Sequence, residues 1–269
     1  MPRIQRLLDL AKIDDWFSVT NSIVQKLIPE EIRNELKSFD PEEMYEDTMT
    51  FLVDCCTRQG HYREGECIEV EDWAGDFDAS FLKRYTHIRG FHACRAFGGL
   101  ELYRQHGIRK LSRELLRELA HLAFQGHSAP AAIDAAVAQS DLPSHEKSVF
   151  LFTDEVTPLD CSCNHFLHSG SEMLQALSID LGLDSRGILA SQGSPYLIEC
   201  SVPIRHVSKG NRQELWRKFV TEYFKVASGS LRPTEPYDFS IRVTKSIEPT
   251  SIVGFRSIDR LVKSYVPLH

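Results

Sequence analysis

THIRGFHACR, residues 86–95, is the stretch that most clearly predicts how the chain folds. Its aromatic, small and β-branched residues predict a strand over residues 86–93. A helix is predicted over residues 98–106, because Gly107 can adopt the backbone conformation that ends helices. His92 then lies at the end of a strand, where it can donate to the ribose hydroxyls of a nucleotide while Arg95 faces its phosphates. A histidine that is simply hydrogen-bonded in the core is the alternative.

Beyond this stretch, strands and short helices follow one another without the regular alternation of a doubly wound sheet. The helices are predicted at 112–124, capped by Ser112, at 130–139, starting at Pro130, from Ser171 to Leu181, and at 211–227. The strands are predicted at 148–153, 196–202, 239–244 and 251–256. These elements predict the α+β class, with a mixed, mainly antiparallel sheet.

Upstream of residue 80 the sequence is acidic and is predicted to be mainly helical. Apolar residues recur near the 3.6-residue period between Leu7 and Ile13, and a helix is expected from Asp40 to about Thr57. A strand is predicted at residues 67–70. We therefore predict a helical, acidic N-terminal region at residues 1–80 and a mixed α+β domain at residues 81–269.

Composition limits the classes of protein to which this chain can belong. Of its 269 residues, 42% are apolar and 26% are charged, which is typical of a globular protein. No run approaches the roughly 18 uncharged apolar residues of a membrane span. We recognise no secretion signal and expect a cytoplasmic protein without a membrane partner. Residues 1–200 carry 19 Lys and Arg against 32 Asp and Glu, whereas residues 201–269 carry 12 against 6, so the final segment could face phosphates or an acidic partner.

Two of the seven cysteines lie beside two histidines in CSCNHFLH, residues 161–168. A zinc-supported module is therefore one hypothesis, with a tetrahedral shell of Cys161, Cys163, His165 and His168. The spacing argues against zinc, because the two pairs are too close together and no matching CxxC stands upstream. We predict reduced thiols and no metal ligand. The P-loop, dinucleotide-binding, zinc-protease and serine-hydrolase signatures are also missing from the sequence.

Three segments, taken in order, resemble the ADP-ribosyltransferase superfamily, the NAD-consuming fold shared by several bacterial toxins, nucleic-acid-modifying enzymes and poly-ADP-ribose polymerases. FHACR at 91–95, with Tyr103 behind it, is similar to the family's opening strand, histidine-containing turn and short helix. HSGSE at 168–172 is similar to a serine-bearing middle motif, and SIEPTSIVGF at 246–255 is similar to the closing strand pair. The resemblance covers roughly residues 86–258.

The resemblance implies a split-sheet, ADP-ribosyltransferase-like domain that binds NAD as its substrate. In that case His92 holds the adenosine ribose, and the other predicted cofactor-binding residues are Arg95, Tyr103 and Ser171. The family's catalytic glutamate lies late in the chain, often within Gln-x-Glu or Glu-x-Glu, and neither tripeptide occurs after residue 172. The rival candidates for the catalytic residue are Glu172, Glu199 and Glu235. Such a carboxylate would stabilise the cation-like ribose that forms as nicotinamide leaves.

The activity implied is NAD-dependent ADP-ribosyl transfer to a macromolecular acceptor, either RNA or DNA or a protein. A toxin or an antiphage effector held in check by an inhibitory protein partner would suit this organisation. The basic residues available for a nucleic acid are Arg205, Lys209, Arg212, Arg217 and Lys218. The helix at 211–227 is also amphipathic, so its aromatic residues are expected in the core: Trp216, Phe219 and Phe224. The alternative is a non-catalytic binding or assembly protein that docks through its acidic and basic surfaces.

Overall fold

The computed structural model describes residues 6–28, 30–38, 70–140, 148–160, 163–227, 229 and 239–258. Within these ranges the protein is mixed α+β, as predicted. Contacts divide the chain into two compact units. The first comprises Met1–Ile88 and Ser208–Glu235, and the second comprises Arg89–Val207 and Pro236–His269.

Helices outnumber strands within the described ranges. In chain order, the helices are α1 (Ile13–Leu27), α2 (Glu30–Ser38), α3 (Val70–Arg84), α4 (Glu101–His106), α5 (Arg113–Ala123), α6 (Pro130–Gln139), α7 (His165–Ser169), α8 (Glu172–Asp180), α9 (Ser185–Ser191) and α10 (Lys209–Ala227). The strands are β1 (Leu7–Leu8), β2 (His87–Ala96), β3 (Val149–Phe152), β4 (Ser194–Pro203), β5 (Ser240–Val243) and β6 (Ile252–Ser257).

An aromatic cluster forms the core of the first unit. Phe81 of α3 stacks on Trp216 of α10, with ring centroids 4.5 Å apart, and on Phe219 at 5.1 Å. Trp16 of α1 also stacks on Phe219, at 5.4 Å. All four side chains are at most 2% exposed. The prediction that the aromatic residues of this late helix belong to a core is confirmed.

A polar cluster joins α3 to α10 beside the aromatic rings. The Asp78 carboxylate accepts hydrogen bonds from Nε and Nη2 of Arg212, at 3.0 and 2.8 Å, and from Nε1 of Trp216 at 2.6 Å. The Asp78 and Arg212 side chains are only 19% and 14% exposed. The division predicted at residue 80 placed α10 in the second domain, whereas its contacts place it with the N-terminal helices.

The second unit contains a sheet in which β2 lies at the centre. The strand order is β5-β3-β2-β4-β6. β3 is antiparallel to β2 and to β5, and β4 is antiparallel to β6. Arg89 contacts Glu199, whereas the later residue Ala96 lies beside the earlier residue Gly193, so β2 and β4 also run in opposite directions.

Helices α5, α6, α8 and α9 form a separate apolar cluster with the end of β2. Its fully buried members include Phe97, Leu116, Phe124, Leu177 and Leu189. Local signals in the sequence predicted two of these helices well. The side chains of Ser112 and Ser171 cap α5 and α8 by accepting from the backbone N–H groups three residues later.

The N-terminal elements differ in part from their prediction. Leu7 and Leu8 form a short strand, not a helix, because they pair in parallel with His87 and Ile88. Val70, expected at the end of a strand, begins α3 instead. The helix predicted from Asp40 to Thr57 and the rest of the predicted strand lie outside the described residues.

Gly107 ends α4 in a conformation that only glycine adopts easily. Its φ is +68°, and a Cβ at this position would lie 1.9 Å from the carbonyl oxygen of Ile247. This contact is fixed, because Ile108 and Ile247 exchange two backbone hydrogen bonds of 2.9 Å. Gly107 therefore determines how the end of α4 meets the segment before β6.

Replacing Gly107 with Ala is expected to destabilise the fold by about 2 kcal/mol or more, since backbone strain is joined by a steric clash. Gly99→Ala is a matched control, because Gly99 has φ +84° but its Cβ would meet no described atom within 4 Å. Gly99→Ala should be destabilised only by the backbone strain, which costs about 1–2 kcal/mol. Urea unfolding monitored by far-ultraviolet circular dichroism measures both losses. Equal losses would contradict the role of the Ile247 contact.

Candidate functional site

The two faces of β2 carry different groups, because side chains alternate along a strand. On one face the Arg89 guanidinium lies over the Phe91 ring, 4.9 Å from its centroid, and Ala93 joins a core cluster with Leu197 of β4. We call this the Arg89 face. His92 points to the opposite face, which we call the His92 face.

Glu199 lies on the Arg89 face and is held there by an ion pair. Its Oε1 is 2.9 Å from Nε of Arg89, and the two side chains are 27% and 24% exposed. The stacking of Arg89 on Phe91 restricts the guanidinium, and the guanidinium in turn orients the carboxylate. The result is a half-buried carboxylate in a fixed position that solvent or a ligand can still reach.

Open space lies next to this carboxylate. Glu199 pairs with Gly254 of β6 across the sheet, and a Cβ built on Gly254 would meet no atom of the described residues within 4 Å. Two residues further along β6, Arg256 pairs with Glu155 at 2.5 Å. Two carboxylates and two guanidinium groups therefore lie on one sheet face around the open space at Gly254.

The His92 face is arranged differently. His92 Nδ1 lies 3.1 Å from the Phe150 carbonyl oxygen. Since a carbonyl only accepts, Nδ1 carries the proton and Nε2 of the neutral ring is an acceptor. Burial lowers the pKa of His92, and the hydrogen bond to Phe150 only partly opposes this effect. His92 is therefore neutral at pH 7.

Tyr103, also predicted to bind the cofactor, is engaged with a thiol. Its hydroxyl hydrogen bonds to Cys94, two residues beyond His92 on the same face. Burial raises the pKa of Cys94 to about 12 and also raises the pKa of Tyr103. Both groups stay protonated at neutral pH, so Cys94 is not a reactive thiolate.

Arg95 and Ser171, also predicted to bind the dinucleotide, make structural contacts. Arg95 donates to the backbone carbonyls of Leu167, at 3.0 Å, and of Ala190, Gln192 and Gly193. These bonds tie the middle of α7 and the end of α9 to β2. Ser171 caps α8. Neither contact involves the Arg89–Glu199 pair.

The structure brings His92 and Tyr103 to one face, but it does not bring His92 and Glu199 together, since β2 separates them. Glu172 is 75% exposed, and its Oε1 lies 3.6 Å from Nε2 of His165. Glu235 lies outside the described residues. The expected cleft shared by His92 and a catalytic acid is therefore not formed with Glu199.

The cysteine–histidine segment shows no metal centre in the part of the chain that the structure describes. No group of three or more His, Cys, Asp or Glu residues within those ranges could hold a metal ion. Cys161, one of the four ligands considered for zinc, lies outside them. His165 instead packs on the ring of Phe166, with centroids 4.0 Å apart.

Arg89 is the residue of this site that the sequence did not reveal. It precedes Gly90 in the quoted strand, but no local pattern distinguishes it from an ordinary surface arginine. Its partner Glu199 lies 110 residues later. The signal in the sequence is the two-residue alternation of side chains along β2, which predicts that Arg89 and His92 lie on opposite faces of the sheet.

Comparisons of this chain with protein-family models, with curated proteins and with solved structures find no match. In the described part of the chain, the helices are too short or too polar to cross a lipid bilayer. The chemistry of the site itself and the resemblance in the sequence therefore carry the functional interpretation.

The neutral state of His92 makes stability depend on pH. Since the folded protein has the lower histidine pKa, the unfolded chain binds the proton first, and stability should fall as pH falls below about 6.5. The pKa of His168 is also lowered, by burial and then by Arg95, and it acts in the same direction. His92→Gln, which keeps a donor for Phe150, should flatten this decline in urea unfolding between about pH 7 and 5. His106 is exposed, so His106→Gln should leave the decline unchanged. If the decline of stability with pH were also unchanged in His92→Gln, this would contradict the assignment of a neutral His92.

Proposed function

We propose that the second unit catalyses NAD-dependent ADP-ribosyl transfer to a macromolecular acceptor, with Glu199 as the catalytic carboxylate. The observation that carries the proposal is the fixed, half-buried position of Glu199 on Arg89, next to the open space at Gly254. The resemblance of residues 86–258 to the ADP-ribosyltransferase superfamily supports the choice of substrate.

Glu199 has a chemical task in this reaction. The bond between the ribose C1′ and the nicotinamide nitrogen breaks, the electron pair leaves with nicotinamide, and the ribose becomes cation-like. A carboxylate oriented before the reaction stabilises that charge without having to reorganise. The acceptor then forms a bond to C1′ and releases a proton, for which Glu199 is the nearest base in the proposed arrangement.

Arg89 positions the carboxylate rather than reacting. A hydrogen bond of 2.9 Å joins its Nε to Glu199, and the Phe91 ring limits its movement. His92 makes no ribose contact in the proposed complex, because the sheet separates it from Glu199. Phe91 is only 4% exposed, so it supports Arg89 from below and is not itself a ligand surface.

The proposed acceptor is a nucleic acid or a protein. The proposed role is that of a toxin or an antiphage effector that an inhibitory protein partner holds in check. Arg205, Lys209 and Arg217 are exposed and could contact phosphates. Arg212 is neutralised by Asp78 and is removed from the set of candidate contacts.

The test is incubation of the purified chain with NAD labelled in the ADP-ribose part, together with cell extract separated into RNA, DNA and protein. We expect release of nicotinamide and transfer of label to one fraction. If neither occurs with any fraction, the proposal fails and the alternative of a non-catalytic binding or assembly protein is favoured. Recovery of a stable partner from the same extract would then support that alternative.

A further inference from the structure

A segment of the second unit crosses the sheet face that carries Glu199. It runs directly after β3, from residue 154 to residue 160, and we call it the strap. Leu159 of the strap packs against the cluster that contains Ala93 of β2 and Leu197 of β4. The strap therefore covers the middle of the Arg89 face.

The start of the strap is rigid. The buried Asp154 carboxylate accepts hydrogen bonds from the backbone N–H groups of Val156 and Thr157, at 2.8 and 2.6 Å. It also accepts from the Thr157 hydroxyl at 2.7 Å. With Asp154 only 7% exposed, this turn fixes the path of the backbone through Glu155, which lies within it.

The strap reaches β6 through Glu155. In the strand order, β3 and β6 are separated by β2 and β4, which corresponds to about 14 Å at the usual strand spacing. The backbone after Phe152 and the Glu155 side chain together cover this distance, and Glu155 pairs with Arg256 at 2.5 Å. The pair is 44% and 55% exposed, so it is weak, reversible and sensitive to salt.

This ion pair borders the candidate site. Arg256 pairs with Leu197 across the sheet, and Gly254 pairs with Glu199. Two residues along a strand span about 7 Å. The Glu155–Arg256 pair is therefore next to the open space beside the Glu199 carboxylate.

We propose that the Glu155–Arg256 ion pair is a latch that holds the strap on the sheet and limits access to Glu199. Release of the latch would let the strap lift from the sheet and widen the space at Gly254. The consequence for NAD entry rests on the proposed function, but the movement itself does not.

The test uses Glu155→Gln, Arg256→Gln and the double charge reversal Glu155→Arg with Arg256→Glu. Two measurements report on the strap: hydrogen exchange of the Leu159 and Asp160 amides, and carbodiimide labelling of Glu199 followed by mass spectrometry. In each single variant, exchange of the two amides and labelling of Glu199 should be about two- to fivefold faster, which is the range expected for loss of an exposed ion pair. The double reversal should restore the original rates.

Glu101→Gln is the control, because Glu101 forms a comparably exposed pair with Arg104 at 3.8 Å. Arg104 lies over Phe255, whose side chain takes the opposite face of β6 from Arg256. It should leave both rates unchanged. Rates that do not change in Glu155→Gln and Arg256→Gln would overturn the latch. NAD turnover is measured in parallel: its absence from every variant and from the unaltered chain would refute the proposed function, while the two rates would still decide about the latch.

Discussion

Replacement of Glu199 with Gln is expected to lower NAD turnover by about 10²–10³-fold, the usual effect of removing one group that stabilises charge in a transition state. Glutamine has the same shape and can still accept from Arg89, so the loss reports on the negative charge and not on packing. Nicotinamide release measured at saturating NAD gives the effect on the chemical step. The thermal midpoint of the variant should stay close to that of the unaltered chain.

Two matched variants make this result specific. Glu172→Gln changes an exposed carboxylate whose partner is His165, and turnover should remain normal. Glu235→Gln tests the third candidate from the sequence. Normal turnover in Glu199→Gln combined with a large loss in either of these variants would move the catalytic role to that residue.

Replacement of Asp78 with Ala is expected to destabilise the first unit by about 3 kcal/mol, because it leaves Arg212 charged and largely buried and leaves Trp216 Nε1 without its acceptor. All three tryptophans of the chain lie in this unit, so tryptophan fluorescence during urea unfolding reports on it. Asp78→Asn should lose less stability, since its amide oxygen can still accept hydrogen bonds from Arg212 or Trp216.

Asp76→Ala is the control for this prediction. Asp76 lies on the same helix two residues earlier and pairs with Lys26 at 2.9 Å, but the two side chains are 44% and 70% exposed. Exposed pairs contribute about 0–1 kcal/mol, so the loss should be small. If the two alanine variants were equally stable, the polar cluster between α3 and α10 would not have the role assigned to it.

The parts of the fold that the sequence predicted well depend on local interactions. Ser112 and Ser171 accept from backbone N–H groups three residues later, so the capping signal and the contact lie in the same few residues. Likewise, the strand around residues 86–93 alternates side chains over a length that a short window covers. Such elements need no knowledge of distant partners.

The elements that were missed depend on distant partners. Leu7 and Leu8 are a strand only because His87 and Ile88 pair with them. α3 lies in a stretch with Gly75 and several aspartates, where helix propensity is weak and packing decides. Its helical face becomes apparent only when Phe81 is seen to stack on α10.

The candidate site also depends on residues that are distant in the sequence. The sequence suggested His92 and Glu199 separately, and both lie close to the sheet centre. Whether they share a cleft depends on which face each side chain takes. Arg89 identifies the face of Glu199, but this contact joins two strands that are far apart in the chain.

In the proposed complex, NAD binds on the Arg89 face with its nicotinamide ribose against Glu199. A crystal structure of the chain with an NAD analogue whose glycosidic bond cannot break tests this arrangement most directly. We predict that the ribose next to nicotinamide contacts the Glu199 carboxylate, beside Arg89 and over Gly254. An analogue bound on the His92 face, or no binding at concentrations that saturate NAD-dependent enzymes, would contradict it.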